Sequence, residues 1–311
     1  MTYALKLLKS NNQPWTFRLR WIPLGPFPRY PAVHPDGGSL SNDRRTEGPR
    51  FARFRGGLRV GADYFARVGA LASEGASGVP PRGLVDRMSD LANPDVDVAR
   101  VHPAIVVFFE DTASLELHVR SHWRFPISLV WRLVRPLMQW IGQFVLPLRE
   151  ATIATRIFAL DPARDGRGDA RAVIREYVGS GAVMQVVAYA TWDSGGARFM
   201  SATFPVPGGH IAGILRLDRI AEDSDGRLAV ALTSASRKGD GAGIWYVLGA
   251  LGLRAPLGER LSLWAAGTDC APAEMDVSVL EGTTRLGRHE QRAFGVRLVT
   301  HEYWFRPVQR G

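Results

Sequence analysis

The residues best suited to acid–base chemistry are two His-Glu pairs near the C-terminal end of the chain, His289-Glu290 and His301-Glu302. Histidine changes its protonation state near neutral pH, and a nearby carboxylate can orient its ring and share its proton. In a β-strand, however, neighbouring side chains point to opposite faces. Neither pair can therefore form a catalytic dyad by itself.

The second pair lies in a segment with a strongly aromatic face. With the period of a strand, His301 shares its face with Val299, Tyr303 and Phe305, while Glu302 shares the other face with Trp304. If the first face lines an interior, a polar group among aromatic rings would hold a ligand. The alternative interpretation is a hydrogen-bonded histidine with a purely structural role.

Other ionisable residues would support a metal-independent reaction only if the fold gathered them in one cleft. The candidates for catalysis are His289, Glu290, His102, Glu110 and Arg124. A second set, of aromatic side chains with a polar atom and one glutamine, is predicted to bind a ligand. Its members are Trp123, Trp131, Gln143, Trp245, Tyr246, His301 and Tyr303. The sequence leaves open whether the protein is an enzyme.

The histidine and cysteine pattern predicts no metal and no cofactor. His118 and His122 form an HxxxH motif, but the zinc-protease version requires Glu after the first His, where Val119 stands. Four residues of a strand also span roughly 13 Å, too far for two ligands of one ion. The single cysteine, Cys270, excludes an internal disulfide and any cysteine-clustered metal site.

Two elements precede the C-terminal half. Alternating apolar and polar residues predict a half-buried strand over 114–122. The apolar stretch 127–148 is predicted to be a helix with one polar stripe, formed by Ser128, Arg132, Arg135, Gln139 and Gln143. It is interpreted as a buried helix or as one lying in a membrane interface. Arg132 and Arg135 make a membrane span costly.

After residue 150 the sequence alternates between short strands and turns, and a short helix is expected earlier, over 62–72. The strands are predicted at 151–160, 171–178, 183–192, 198–206, 210–220, 227–236, 274–286 and 294–307. Successive strands without intervening helices are typical of an antiparallel barrel or sandwich. We therefore predict an α+β protein whose main domain is an antiparallel β-barrel-like or β-sandwich domain, with a small helical part and an irregular N-terminal segment.

Charge supports a division into three parts: a basic, Pro/Gly-rich segment over 1–60, a small mixed helical part over 61–150, and an antiparallel β domain over 151–311. The chain of 311 residues has a formal net charge of +9, yet residues 1–67 alone carry 12 basic and 4 acidic side chains. The remainder is nearly neutral, which argues against nucleic acid as the partner. Aromatic residues interleaved with arginines in the first segment suit an anionic membrane surface, or a segment that wraps the body.

Several short sequence segments are similar to those of the YndJ-like bacterial proteins, over about residues 83–307. They are GLVDRMSDL at 83–91, VHPAI at 101–105, FFEDT at 108–112, WRF at 123–125, GQFVLP at 142–147, FPVPGG at 204–209, GIWY at 243–246, HE at 289–290 and FGV at 294–296. The resemblance implies the soluble C-terminal region of that family, which in some members is attached to an integral membrane protein. It implies no assigned chemistry.

Binding of a hydrophobic or lipid-like small molecule in a β-rich cavity is the leading functional hypothesis, because aromatic strands could enclose the ligand and the apolar helix could cover it. The alternatives are a metal-independent isomerase, cyclase or hydrolase acting on such a ligand, and a peripheral membrane or interaction module. The N-terminal residues show no secretory signal pattern. The expected location is the cytoplasm, with peripheral contact to the inner membrane as the alternative.

Overall fold

A computed structural model describes residues 3–7, 19–23 and 51–308, apart from residues 55, 76, 77, 195, 238, 239 and 250. The chain forms two compact units, residues 1–43 and 44–311. In the first unit, strands β1 (Tyr3–Leu7) and β2 (Leu19–Pro23) pair in antiparallel fashion. Of the interleaved arginines and aromatics predicted to touch a membrane, Arg20 and Trp21 lie on β2, and Phe51, Arg53 and Phe54 lie in the described part of the second unit. The others, at 15, 17, 18 and 55, lie outside the described residues.

The second unit is built around antiparallel strands. They are β3 (Leu71–Ala72), β4 (Leu115–Trp123), β5 (Glu150–Leu160), β6 (Arg171–Tyr177), β7 (Val183–Ser194), β8 (Ala197–Val206), β9 (Gly209–Glu222), β10 (Leu228–Thr233), β11 (Gly243–Leu248), β12 (Leu251–Ala255), β13 (Leu257–Ala265), β14 (Arg285–Ala293) and β15 (Val296–Pro307). Helical elements are short and few. They are α1 (Tyr64–Arg67), α2 (Pro103–Glu110), α3 (Ile127–Ile141) and α4 (Pro162–Asp165), with 3-10 turns at Met88–Leu91, Val98–Arg100, Thr112–Ser114 and Val277–Val279.

Ten of these strands close into an antiparallel barrel. Strands β4 to β9 pair in sequence, and β13, β14 and β15 return to β4. Strand β10 completes the ring because it pairs with β13 on one side and with β9 on the other. The predicted antiparallel barrel is confirmed, and the sandwich alternative is wrong. The class is mostly β rather than α+β, because the described helices only cover the sheet.

The barrel interior is apolar toward one end. Along β4 the side chains alternate, with Leu115, Leu117 and Val119 buried inside. Helix α2 precedes β4 and fills this end of the barrel with Ile105 and Phe108, which are also fully buried. Burial of such large side chains, at about 1.5–3 kcal/mol each, makes this end a packed core.

A second apolar cluster lies on the outer surface of the wall. Residues 51–70 run across β6 and β7, where Phe54, Tyr64 and Phe65 bury their rings. They pack on Ile174 and Val186, which point away from the barrel interior. The described end of the basic segment therefore wraps the body.

The strand predictions over 114–122 and from 151 to 236 are confirmed within a few residues. The helix over 62–72 is reduced to the four residues of α1. The strand over 274–286 is wrong, because this segment is mostly turn and β14 begins only at Arg285. Strand β14 is charged from Arg288 to Arg292, so its sequence does not show the apolar alternation of a strand. Its apolar contacts come from the neighbouring strands.

Helix α3 covers the other end of the barrel, beyond the last residue of β4. None of its residues is fully buried, so the interpretation as a buried helix is wrong. It ends at Ile141 because Gly142 takes a left-handed conformation (φ 73°), which removes Gln143 from the predicted polar stripe. Among the residues that the structure describes, no helix is long and apolar enough to cross a membrane.

A buried ion pair ties the outer layer to the wall. Arg167 donates to both carboxylate oxygens of Asp165, at 2.6 and 2.8 Å, and both side chains are almost inaccessible (4% and 0% exposed). The same guanidinium donates to the hydroxyls of Ser201 and Thr203 on β8. The Asp165 carbonyl accepts from the backbone N–H of Arg53, so the pair anchors the wrapping segment.

Replacing Asp165 should therefore destabilise the protein strongly. Asp165→Asn leaves a buried guanidinium without its counter-charge, and we expect a loss of about 3–5 kcal/mol in the free energy of unfolding, measured by urea denaturation. The control is Arg156→Gln, which breaks an exposed pair with Glu176 and should cost at most about 1 kcal/mol. Equal losses for the two variants would contradict a structural role for the buried pair.

Candidate functional site

The barrel holds a cavity of about 420 Å³ between α2 and α3. Phe108 lies at its floor, and Ile127, Trp131 and Met138 of α3 cover it from the opposite end. The walls are mainly apolar and come from most of the barrel strands: Leu117, Ala202, Phe204, Ile211, Leu215, Leu232, Leu261, Leu298, Val299 and Phe305.

Two tryptophans form the contact between the wall and the helix. The rings of Trp123 and Trp131 stack with centroids 5.0 Å apart and an interplanar angle of 11°. Their indole N–H groups donate to backbone carbonyls, Trp123 to Pro147 at 2.9 Å and Trp131 to Leu146 at 3.3 Å. Because the polar atoms are satisfied by the backbone, the rings present apolar surface to the cavity.

A histidine is buried deep in the wall at the middle of β15. His301 is 1% exposed, and its Nδ1 lies 2.8 Å from the hydroxyl oxygen of Ser121. No hydrogen-bond partner reaches its Nε2 within the described part of the chain. Burial, together with the charges of His289 and His122, lowers the pKa of His301 to about 3. The ring is therefore neutral at physiological pH, and Nε2 is available to a ligand.

A second histidine on β14 belongs to a short polar chain. His289 Nε2 lies 3.0 Å from Oε2 of Glu259, and His289 Nδ1 lies 3.4 Å from the hydroxyl of Tyr303. Burial raises the pKa of Tyr303, so its phenol stays protonated. Glu259 reaches this position on β13 beside Gly213, where a Cβ atom would lie 2.6 Å from Oε1 of Glu259. The glycine thus leaves space for the carboxylate.

An arginine on β6 also faces the cavity. Arg175 lies near the phenol of Tyr189 on β7, and its Nε is buried and has no partner among the described residues. Gln185, opposite Arg175 in the strand register, lines the same surface. Burial raises the pKa of Tyr189. The cavity is consequently amphipathic, with apolar walls and a set of hydrogen-bonding groups.

The cavity contains most of the ligand-binding residues predicted from sequence. Trp123, Trp131, His301 and Tyr303 line it. Gln143, Trp245 and Tyr246 do not. The Gln143 amide donates to the backbone carbonyls of Val186 and Pro205 at 2.7 and 2.9 Å, so it holds the end of α3 against the wall.

The other two predicted residues lie on β11, beside the barrel. Trp245 packs against Phe51 of the wrapping segment, with ring centroids 6.0 Å apart. Tyr246 is half-buried and does not line the cavity. Ile244 of the same strand lines the cavity, whereas Trp245 points to the opposite face of β11 and Tyr246 lies nearer the end that leads into β12.

The five predicted catalytic residues are not brought together. Only His289 lines the cavity. Glu290 points outward and pairs with Arg292 and Arg297, which lower its pKa. His102 accepts from the backbone N–H of Ala104 at the start of α2.

The last two catalytic candidates, Glu110 and Arg124, also lie outside the cavity lining. Glu110 accepts from the backbone N–H of Met88 at 2.6 Å, which fixes the 3-10 turn against α2. Arg124 is exposed between β4 and α3, where its backbone N–H donates to Leu298. An acid–base site made from the predicted set is therefore absent from this cavity.

Sequence reasoning missed Arg175, Glu259, Gln185 and Tyr189. A signal was present for Arg175, because it alternates in phase with the buried Val173 and therefore shares its inward face. A comparable signal was present for Glu259, because it alternates in phase with Leu261 and the buried Leu263. Within the described residues, no three His, Cys, Asp or Glu side chains are grouped as metal ligands.

A larger groove, of about 560 Å³, lies on the surface between α3 and residues 59–67. Its charged groups already have partners. Arg67 pairs with Asp63 at 2.9 Å, and Arg59 donates to the carbonyl of Trp140 at 3.2 Å. The barrel cavity, with its buried unpartnered atoms, is the better candidate for a binding site.

Fold and site thus define a closed, ten-stranded antiparallel barrel with an amphipathic internal cavity. Comparison with known proteins finds similarity to the "Uncharacterized membrane protein YndJ" of Bacillus subtilis (strain 168), 23% identical over 175 residues. The match spans 53% of this chain and 30% of the relative. It confirms the YndJ-like resemblance noted in the sequence. No family model and no solved structure matches the chain.

Because His301 is held neutral by burial, it should make stability depend on pH. Between its folded pKa of about 3 and its unfolded value of 6.5, the unfolded chain binds the extra proton, so stability falls as the pH falls. We expect His301→Gln to remove about 1.4 kcal/mol per pH unit from that slope between about pH 6 and 4. Urea denaturation across this range provides the measurement.

The matched control is His122→Gln, on the outward face of β4, where the ring is 54% exposed. It removes one of the charges that lower the pKa of His301 but leaves that ring buried, and because burial is the larger cause the wild-type slope should largely persist. An unchanged slope in His301→Gln would show that the buried ring does not contribute to acid sensitivity.

Proposed function

We propose that this protein binds a hydrophobic or lipid-like small molecule inside the barrel. The observation that carries the proposal is the cavity of about 420 Å³, lined mainly by apolar and aromatic side chains. Small-molecule sites are typically clefts of about 300–1,000 Å³ with such walls and a few polar groups that orient the ligand. A barrel of eight strands can already hold one small ligand, and ten strands enclose a wider interior.

The polar groups in the cavity favour binding over the alternative of metal-independent catalysis. His289 is the single member of the predicted catalytic set that lines the cavity, and its ring nitrogens are occupied by Glu259 and Tyr303. His301 lies beside Tyr303 as part of the same wall, with stacked rings. These contacts hold side chains in place around a ligand, and none of them activates a nucleophile.

Filling the cavity should abolish binding. Ala202 of β8 points into the cavity, so Ala202→Phe places a ring where the ligand would lie. With the neutral fluorescent probe N-phenyl-1-naphthylamine, we expect the wild type to enhance fluorescence and Ala202→Phe to weaken the apparent affinity by at least about tenfold, since apolar contact area is lost.

Ala154→Phe is the matched control, because Ala154 is exposed on the outer face of β5. It adds the same ring outside the barrel and should bind the probe like the wild type. Native mass spectrometry of the freshly purified wild type provides a second measurement, in which a retained lipid would appear as added mass. Equal probe binding by all three proteins, with no retained mass, would refute the internal site.

As a second function, we propose contact with an anionic membrane surface through the end of the barrel covered by α3. Exposed apolar side chains surround this end. Some belong to α3 and the short segment before it, and the others lie at the ends of β11 to β15, which the strand register places at the same end of the barrel. They are Phe125, Leu129, Val130, Leu133, Leu137, Trp140, Leu248, Leu251, Leu257, Phe294 and Val296. Exposed patches of this kind mark interaction sites.

Charge at this end is complementary to acidic lipids. Arg124 and Arg132 are exposed beside the apolar face of α3, and Arg297 follows the exposed hairpin tip at Phe294. Apolar insertion combined with basic residues is how peripheral proteins bind anionic bilayers. The name of the Bacillus relative, a membrane protein, is consistent with this proposal.

Vesicle sedimentation tests the membrane proposal. Leu133 is 76% exposed on α3, and Leu133→Glu should reduce binding to phosphatidylglycerol-containing vesicles several-fold at low salt, because a carboxylate would have to enter the interface. Val277→Glu, an exposed change at the opposite end of the barrel, is the control and should bind like the wild type. Absence of wild-type binding even at low ionic strength would refute the proposal.

A further inference from the structure

We propose that the ligand of the barrel cavity is an amphiphile with a carboxylic acid head group, bound by Arg175. This inference rests on the binding function proposed above and specifies its ligand class. It follows from the charges in the cavity rather than from its volume.

Arg175 has an unmet requirement for an anion. No carboxylate lies within 4.0 Å of its guanidinium among the described residues, and its buried Nε has no hydrogen-bond partner there. On the outward face of the adjacent strand, by contrast, Arg156 is paired with Glu176 through two bonds of 2.9 Å. A partly buried cation without a counter-charge is costly, and an anionic ligand would remove that cost.

The carboxylate that lines the cavity, that of Glu259, is bonded to a different residue. Glu259 bonds to His289 at 3.0 Å, and it lies more than 4.0 Å from the guanidinium nitrogens of Arg175. Its negative charge also restricts the ligand. Glu259 repels a dianionic phosphate about twice as strongly as a single carboxylate at the same distance. The single carboxylate also matches the charge of one guanidinium and its paired N–H groups.

Further hydrogen-bonding groups face the same space. Gln185 lies opposite Arg175 in the register, is 7% exposed, and its side chain forms no hydrogen bond with any described residue. Tyr189 and Tyr303 retain their phenolic protons because burial raises the pKa of both. A guanidinium, an amide and protonated phenols together form a donor set suited to carboxylate oxygens.

The volume of the whole cavity sets the size of the ligand, head group included. At about 30 Å³ for each water-sized group, 420 Å³ holds roughly 14 groups. A saturated acid of about twelve carbons has this size. Its chain would lie among Leu215, Leu232 and Phe204, toward the stacked Trp123 and Trp131.

Displacement of N-phenyl-1-naphthylamine by dodecanoic acid and by dodecan-1-ol, each below its solubility limit at pH 8, tests the proposal in the wild type. The two ligands share a tail and differ in the charge of the head. We expect the acid to bind at least about tenfold more tightly, as charge-assisted hydrogen bonds to a guanidinium predict.

Variants then locate the head group. Arg175→Gln should reduce the preference for the acid to within about threefold while leaving alcohol binding nearly unchanged, and Arg175→Lys should retain part of the preference. Arg156→Gln removes an outward-facing guanidinium from the next strand and should keep the full preference.

The outcomes distinguish a failure of the acidic head group from a failure of the binding function. If the acid and the alcohol bind the wild type equally, or if Arg175→Gln keeps the preference, the assignment of the acidic head group is wrong while the binding function stands. If neither the probe nor either ligand binds, the binding function itself is wrong. Tight acid binding that depends on residue 175 supports both.

Discussion

Closure of the wall through β10 is the constraint on which the rest of the structure depends. Val230 of β10 faces Leu263 of β13 on one side and Arg219 of β9 on the other, so one short strand joins the two ends of a long sheet. Closure removes the free edges and gives ten strands a common interior. Because ten strands enclose more space than their side chains occupy, the cavity follows from the same pairing.

The two ends of the barrel differ, and this difference gives the cavity a direction. At one end α2 buries Ile105 and Phe108, forming a closed floor. At the other end α3 contributes Ile127, Trp131 and Met138 to the cavity but leaves its outer face exposed. A binding site with a packed floor and an accessible apolar mouth suits ligands that dissolve poorly in water, since they can enter through the mouth.

Much of the wall could be predicted from the sequence because alternation is a local property. The two faces of β4 and of β15 follow from a period of two residues, and so does the placement of His301 and Tyr303 on one face. Strand β14 could not be predicted, since its polar residues gain their environment from β13 and β15. The apolar surface of α3 was visible in the sequence, but its exposure was not, because periodicity does not show what covers a helix.

The sequence by itself determined which segments are extended, which side chains share a face, and that the basic excess is confined to the first fifth of the chain. Only the tertiary structure decided which of those faces turns inward and which strands meet. Arg175, Glu259 and His289 come from strands far apart in sequence, and they line one cavity because ring closure and register bring β6, β13 and β14 around the same interior. Pairing between distant strands depends on the whole sheet, so no local pattern encodes it.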